Sequence, residues 1–199
     1  KDESKWSSPI ELQNGYILSS GYQKLGLWDS SGKFIREITT ARQRRICAIE
    51  LQNGYIMSWS HKEFCLWNTD GTLIAQMTEH QEFIWHVFQL KDGRVLSVSQ
   101  MSIESKPNLC VWGVDGSLIK SLKGYFCYFD KILELPDGRL LSWRGNIVDL
   151  QLWDNSFSQL ILLEGHSLTT NHVILLDDGH ILSCADDGRL HLWDITVSP

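Results

Sequence analysis

The chain has 199 residues, 43% hydrophobic and 21% charged, with a net charge of −6 and a pI near 5.6. That suffices for one sizeable domain or two small ones, and the acidic balance argues against a nucleic-acid partner, which calls for a basic face. No apolar run approaches the ~20 residues of a membrane-crossing helix, and residues 1–9 hold no apolar signal-peptide core.

The basic cluster Arg42, Arg44 and Arg45 reads as a solvated loop. Cys47, Cys65, Cys110, Cys127 and Cys184 form no CxxC pair. That odd count predicts reduced thiols and a cytoplasmic protein. Cys65 and Cys110 each stand two residues before a tryptophan, a shared position that points to packing.

In chain order, an amide or acid followed by glycine recurs at Asn14-Gly15, Asn53-Gly54, Asp92-Gly93, Asp137-Gly138 and Asp178-Gly179, with glycine intervals of 39, 39, 45 and 41. Each pair is preceded and followed by an apolar segment. Asn-Gly and Asp-Gly supply the positive φ of a two-residue hairpin turn, so each copy is predicted to begin with a β-hairpin. A tryptophan follows at Trp28, Trp67, Trp112, Trp153 and Trp193, always after an aliphatic residue. Next come a polar turn and a fourth apolar segment, such as Phe34-Ile35, Leu73-Ile74, Leu118-Ile119 or Leu160-Ile161-Leu162. No stretch shows helical periodicity. Four short antiparallel strands, repeated five times, predict an all-β protein: a β-propeller of five four-stranded blades. Stacking the sheets buries faces that one sheet alone would expose. The repeated tryptophan is the wedge between neighbours.

These units resemble the WD-repeat family of roughly forty-residue tryptophan–aspartate repeats. The last copy, ending in Trp193-Asp194, matches best. There the resemblance implies a structural tetrad of His166, Ser183, Asp187 and Trp193, a buried polar network that fixes one register. Trp28-Asp29 and Trp153-Asp154 keep the dipeptide, whereas Trp67-Asn68 and Trp112-Gly113 do not. The pre-strand histidine survives at His80, but Tyr125 follows Gly124 in the next copy. Copies with a broken tetrad are expected to rest more on apolar packing. The stretch from Leu135 to Trp143 looks like a bacterial variant. The blades fall at about 7–40, 41–80, 81–125, 126–166 and 167–199, in one domain spanning 1–199. The resemblance implies that residues 1–6 close the last blade as its outer strand, giving a monomeric ring. The competing reading is a piece of a longer propeller with an open edge.

With the strands of a copy lettered a to d, family members usually bind partners on the face carrying the b–c and d–a loops. The third b–c loop is the longest, about six residues over the others within 100–108, and offers Ser105 and Lys106. Trp59 and Trp143 share the position after the strand-b serine, and Trp85 begins a strand a whose counterparts include Asp130 and Asn171. Trp59, Trp85 and Trp143, with Arg44, Arg45, Asp130 and Asn171, would make an anchor-rich binding mouth. The competing reading is that these tryptophans only fill the channel. No GxSxG, HExxH or phosphate loop occurs, and the S-x-x-K match from Ser117 to Lys120 falls on an outer strand. His61, His86, His172, His180 and His191 show no metal-ligand spacing. The expectation is therefore a non-catalytic interaction or sensing scaffold, without cofactor or metal, that binds a protein or peptide. The alternative is a small-ligand or glycan-binding propeller whose mouth tryptophans stack on sugars. A propeller glycosidase, with only Asp130 as a visible acid, comes last.

Overall fold

The structure, a computed structural model, describes residues 7–21, 24–39, 46–100, 108–123, 129, 131–144 and 148–195. The closing segment 1–6 and the candidate residues Arg44, Arg45, Ser105, Lys106 and Asp130 lie outside them. The described residues form five antiparallel sheets, one per repeat, each with its strands in chain order, and the fold is a β-propeller. Sheet one contains β1 (Ser7–Glu11), β2 (Ile17–Ser20), β3 (Lys24–Trp28) and β4 (Phe34–Thr39). Sheet two contains β5 (Cys47–Glu50), β6 (Ile56–Ser60), β7 (Glu63–Trp67) and β8 (Leu73–Met77). Sheet three contains β9 (Ile84–Gln89), β10 (Val95–Ser99), β11 (Leu109–Trp112) and β12 (Leu118–Leu122). Sheet four contains β13 (Lys131–Glu134), β14 (Leu140–Trp143), β15 (Leu150–Trp153) and β16 (Gln159–Leu163). Sheet five shows three strands among the described residues: β17 (Thr170–Leu175), β18 (Ile181–Ala185) and β19 (Leu190–Trp193). No described residue is helical, so among the described residues no helix is long and apolar enough to cross a membrane.

The chain divides into two compact units, Lys1–Gly124 with three sheets and Tyr125–Pro199 with two. Each sheet has two apolar sides, because its central strands alternate between them. One side carries paired aliphatic residues, such as Leu18 opposite Leu27 and Met57 opposite Leu66. The other carries the repeated tryptophan. In the first unit the aliphatic side of sheet one packs on Ile56, Cys65 and Trp67 of sheet two. That of sheet two packs on Val95, Cys110 and Trp112 of sheet three. In the second unit Leu141 and Leu152 of sheet four pack on Ile181 and Trp193 of sheet five. A buried leucine of this kind contributes about 1.5–3 kcal/mol.

The hairpin turns differ from expectation. At Asn14-Gly15 the Leu12 N–H donates to the Tyr16 carbonyl at 2.7 Å and the Gly15 N–H to the Leu12 carbonyl at 2.8 Å. Gly15 has φ +80°, whereas Asn14 is not left-handed. This is a three-residue loop, a turn closed by one left-handed residue. The amide is there for another reason: its Oδ1 accepts the Tyr16 N–H at 2.9 Å. The same pattern recurs at Asn53, Asp92, Asp137 and Asp178. The polar turns after the tryptophans share this loop. Gly71 there also lies close to sheet one, since a Cβ would come within 2.8 Å of Ile38. In sheet four the left-handed position is held by Phe157, at φ +62° and buried.

Candidate functional site

Trp85 owes its exposure to a defect in pairing. Val98 faces His86 and Ser99 faces Ile84, so Trp85 is the extra residue of a β-bulge between β9 and β10. Bulges re-aim side chains, and Trp85 is 50% exposed while its neighbour Ile84 is buried. Ile84 is held from below, its N–H donating to the His61 carbonyl at 2.8 Å. His61 opens the two-residue loop between β6 and β7 in a left-handed conformation, φ 53°. On the other side, the Gln100 N–H donates to the Phe83 carbonyl at 2.6 Å. Phe83 and Trp85 flank Ile84 in the chain, Phe83 just before β9 and Trp85 at the bulge. The result is an aromatic row, with His61 and Phe83 centroids 4.2 Å apart and Phe83 and Trp85 6.2 Å apart. Topology puts the row where a b–c turn meets a d–a connection. Trp59 is half-buried, paired with Cys47 and Phe64 and packed on the core of sheets two and three.

The remaining candidates sit in the second unit. Trp143 is 8% exposed within the core of sheets four and five. Its indole N–H has no hydrogen-bond partner among the described residues. Asn171 is the bulged residue between Thr170 and His172. Its Nδ2 donates to Asp186 Oδ1 at 2.5 Å, and its carbonyl accepts Lys131 Nζ at 2.9 Å. Asn171 is thus already engaged within the fold. Phe83 and His61 were missed by the sequence reading. Phe83 precedes β9 and His61 sits in a turn, and nothing local in the sequence signals either.

The four side chains implied as a tetrad meet in sheet five. Trp193 Nε1–H donates to Ser183 Oγ at 2.8 Å, and Ser183 Oγ lies 2.8 Å from His166 Nε2. His166 Nδ1 lies 3.1 Å from Asp187 Oδ2. One proton order satisfies every atom: tryptophan donates to serine, serine to His166 Nε2, and His166 Nδ1–H to the carboxylate. Asp187 also accepts the Ser167 and Arg189 N–H groups at 2.9 and 3.0 Å. The Ser167 and Arg189 amides and His166 hold its pKa down at about 2. His191 joins this group, its ring 4.3 Å from that of His166. His166, Asp187 and His191 present ligand atoms within 4.8 Å of one another. Sequence spacing missed this grouping because it arises across a strand pair, Ser183 opposite His191. Both nitrogens of His166 and both oxygens of Asp187 are already committed to hydrogen bonds, so a metal ion there would have to displace the network.

Parts of the tetrad persist where others are lost. Trp67, Trp112 and Trp153 each donate to the matching serine, Ser58, Ser97 and Ser142, at 2.7–2.8 Å. Copies without the histidine–aspartate pair therefore retain a buried polar tie beside their apolar packing. In sheet three His80 Nε2 lies 2.5 Å from Ser97 Oγ, but His80 Nδ1 is buried without a partner among the described residues. Burial pushes its pKa down to about 4. Burial, with Glu63 and Glu79 adding to it, pushes the Cys65 and Cys110 thiols up to about 12.

No protein-family model matches the sequence, and no curated protein matches it. Solved structures do. The computationally designed Ika8 protein superposes with TM-score 0.68 at 18% identity, covering 97% of this chain and 59% of its own. U3-55K does so with TM-score 0.64 at 19% identity, covering 100% and 63%. The WD40 β-propeller domain of Doa1 follows with TM-score 0.58 at 16% identity, covering 94% and 62%. The chain thus spans about three fifths of these structures. At such identities the likeness establishes the fold class, a β-propeller.

Proposed function

We propose that this chain is a non-catalytic, WD-repeat-like scaffold that binds a peptide or protein segment on the side carrying its b–c and d–a loops. The observation that carries the reading is the row Trp85, Phe83 and His61, with a half-exposed indole raised on a bulge. A half-exposed indole suits the anchoring role tryptophan plays in interfaces. The connection bearing Phe83 also bears Glu79 and Glu82, so the partner we expect presents an apolar anchor beside a lysine or arginine. Trp59 is half-buried and packs on the core that also holds Ile84. Buried, unreactive thiols at Cys65 and Cys110 suit a cytoplasmic setting, and the wording of residues 135–143 suits a bacterial variant of the WD-repeat pattern.

The test is selection of peptides from a displayed random library on the immobilised chain, followed by titration against Trp85→Ala. Selected peptides should bind the variant at least tenfold more weakly, while its far-UV circular dichroism shows that it remains folded. Peptides that bind both proteins equally would refute the reading. So would a chain that ignores the library and binds a glycan array.

A further inference from the structure

In the first unit a glutamine at the a–b turn ties one repeat to the next. The Gln13 N–H donates to Glu50 Oε2 at 2.8 Å, and Gln13 Nε2 donates to the Leu51 carbonyl at 3.1 Å. One repeat later the Gln52 N–H donates to Gln89 Oε1 at 2.8 Å, and Gln52 Nε2 to the Leu90 carbonyl at 3.4 Å. The backbone amide meets the last side chain of the next strand a, and the carboxamide meets the carbonyl just beyond it.

Between sheets four and five both halves of this tie are replaced. Pro136 stands where Gln13 and Gln52 stand, and Leu175 where Glu50 and Gln89 stand. Proline has no N–H, so the leucine leaves no donor stranded. The side-chain donor is lost as well. The Leu176 carbonyl accepts the Gly179 N–H at 3.0 Å, as the Leu51 and Leu90 carbonyls accept those of Gly54 and Gly93. Its second lone pair, which takes glutamine in those repeats, receives nothing from Pro136. A cleft of about 410 Å³ opens here, with Leu135, Pro136, Leu175 and Ile195 as apolar walls. Its rim is acidic. Asp137 is neutralised by Arg139, whose Nε lies 2.7 Å from Asp137 Oδ2 and whose Nη1 donates to the Ile195 carbonyl at 2.7 Å. Asp177 adds a second carboxylate, and among the described lining residues Arg139 is the one cation.

We propose that this cleft, built from residues other than the aromatic row, binds a small primary amine with a compact apolar body. The ammonium donates to the Leu176 carbonyl, in the role of glutamine Nε2, and faces Asp177. The apolar body lies between Leu135, Pro136 and Leu175. Apolar walls with a few convergent polar groups are the usual make-up of a small-molecule site. The carboxylate in excess favours a cationic head over a neutral or anionic one.

The probe is 2-phenylethylamine, titrated into the full chain at pH 7 and followed through backbone amide signals in NMR. Amides of residues 137–139 and 175–179 should shift and saturate, with a dissociation constant below about 5 mM, as suits so small a ligand. The neutral 2-phenylethanol should bind at least tenfold more weakly, and the anionic 3-phenylpropanoate should not saturate. Pro136→Gln with Leu175→Glu rebuilds the tie seen at Gln13 and Glu50 and should abolish binding. Asp177→Asn removes the carboxylate in excess and should weaken binding at least threefold. Far-UV circular dichroism confirms that each variant is folded. The proposal is overturned if no amide of these two turns saturates by about 20 mM amine, or if the alcohol binds as well as the amine. It is equally overturned if Asp177→Asn, or a folded double variant, keeps wild-type affinity.

Discussion

His80 and His166 occupy the same position in their repeats, yet only His166 finds a carboxylate for its second nitrogen. His80 stays neutral in the folded chain down to about pH 4, whereas an unfolded histidine titrates near 6.5. Between these values the unfolded chain binds a proton that the folded chain refuses, so stability falls as pH falls through that window. The loss approaches about 3 kcal/mol on going from pH 7 to pH 4, at 1.36 kcal/mol per pKa unit. Asp187 acts in a different range. Its depressed pKa stabilises the fold above about pH 4, and that contribution is lost as pH falls towards about 2. Urea midpoints measured at pH 7, 5.5 and 4.5 should decline, and His80→Gln should remove most of the slope. A slope unchanged in the variant would place the titrating group elsewhere. The buried thiols give a second check at this scale. With pKa values near 12, Cys65 and Cys110 hold about one thiolate in ten thousand at pH 8. Iodoacetamide at pH 8 should leave both unmodified in the native chain, as read by peptide mass spectrometry, and modify them once urea unfolds it.

At the scale of strands and turns, one loop is used at both ends of the hairpins, and it needs one left-handed residue. Phe157 is the exception that exposes the energetics. A side chain in that conformation costs about 1–2 kcal/mol, while truncating a buried phenylalanine costs about 3–5 kcal/mol. Phe157→Gly loses the packing but regains the backbone freedom, so it should destabilise by about 2–3 kcal/mol. Phe157→Ala keeps the strain and should be about 1 kcal/mol worse. Denaturant unfolding decides it, and an alanine variant more stable than the glycine variant would discount the strain. The repeats themselves were legible in the sequence because each turn demands glycine and each wedge demands tryptophan, at fixed distances. The turn geometry was misjudged because Asn and Asp beside glycine serve as side-chain acceptors, which a dipeptide does not distinguish from a left-handed pair. The bulge under Trp85 was not legible at all. It is a property of pairing with β10, and local composition carries no record of it. For the same reason Trp59 and Trp143, identical in repeat position, differ in burial.

For the whole molecule, five similar repeats do not mean five equivalent environments. Leu190 and Leu192 follow the same pattern as Leu25 and Leu27, and nothing in the sequence marks them as exposed. Burial of a repeat depends on its neighbour, and the sequence of one repeat carries no record of that neighbour. The Trp–Ser ties carry a further consequence. Four sheets each contain one indole N–H bonded to a serine, buried in three of them and partly buried in sheet five. Such a proton exchanges with deuterium only when its own sheet loosens. Each sheet thus carries its own clock, readable as a resolved indole signal in NMR. The order in which the four signals fade would tell whether the repeats open together or peel away one by one.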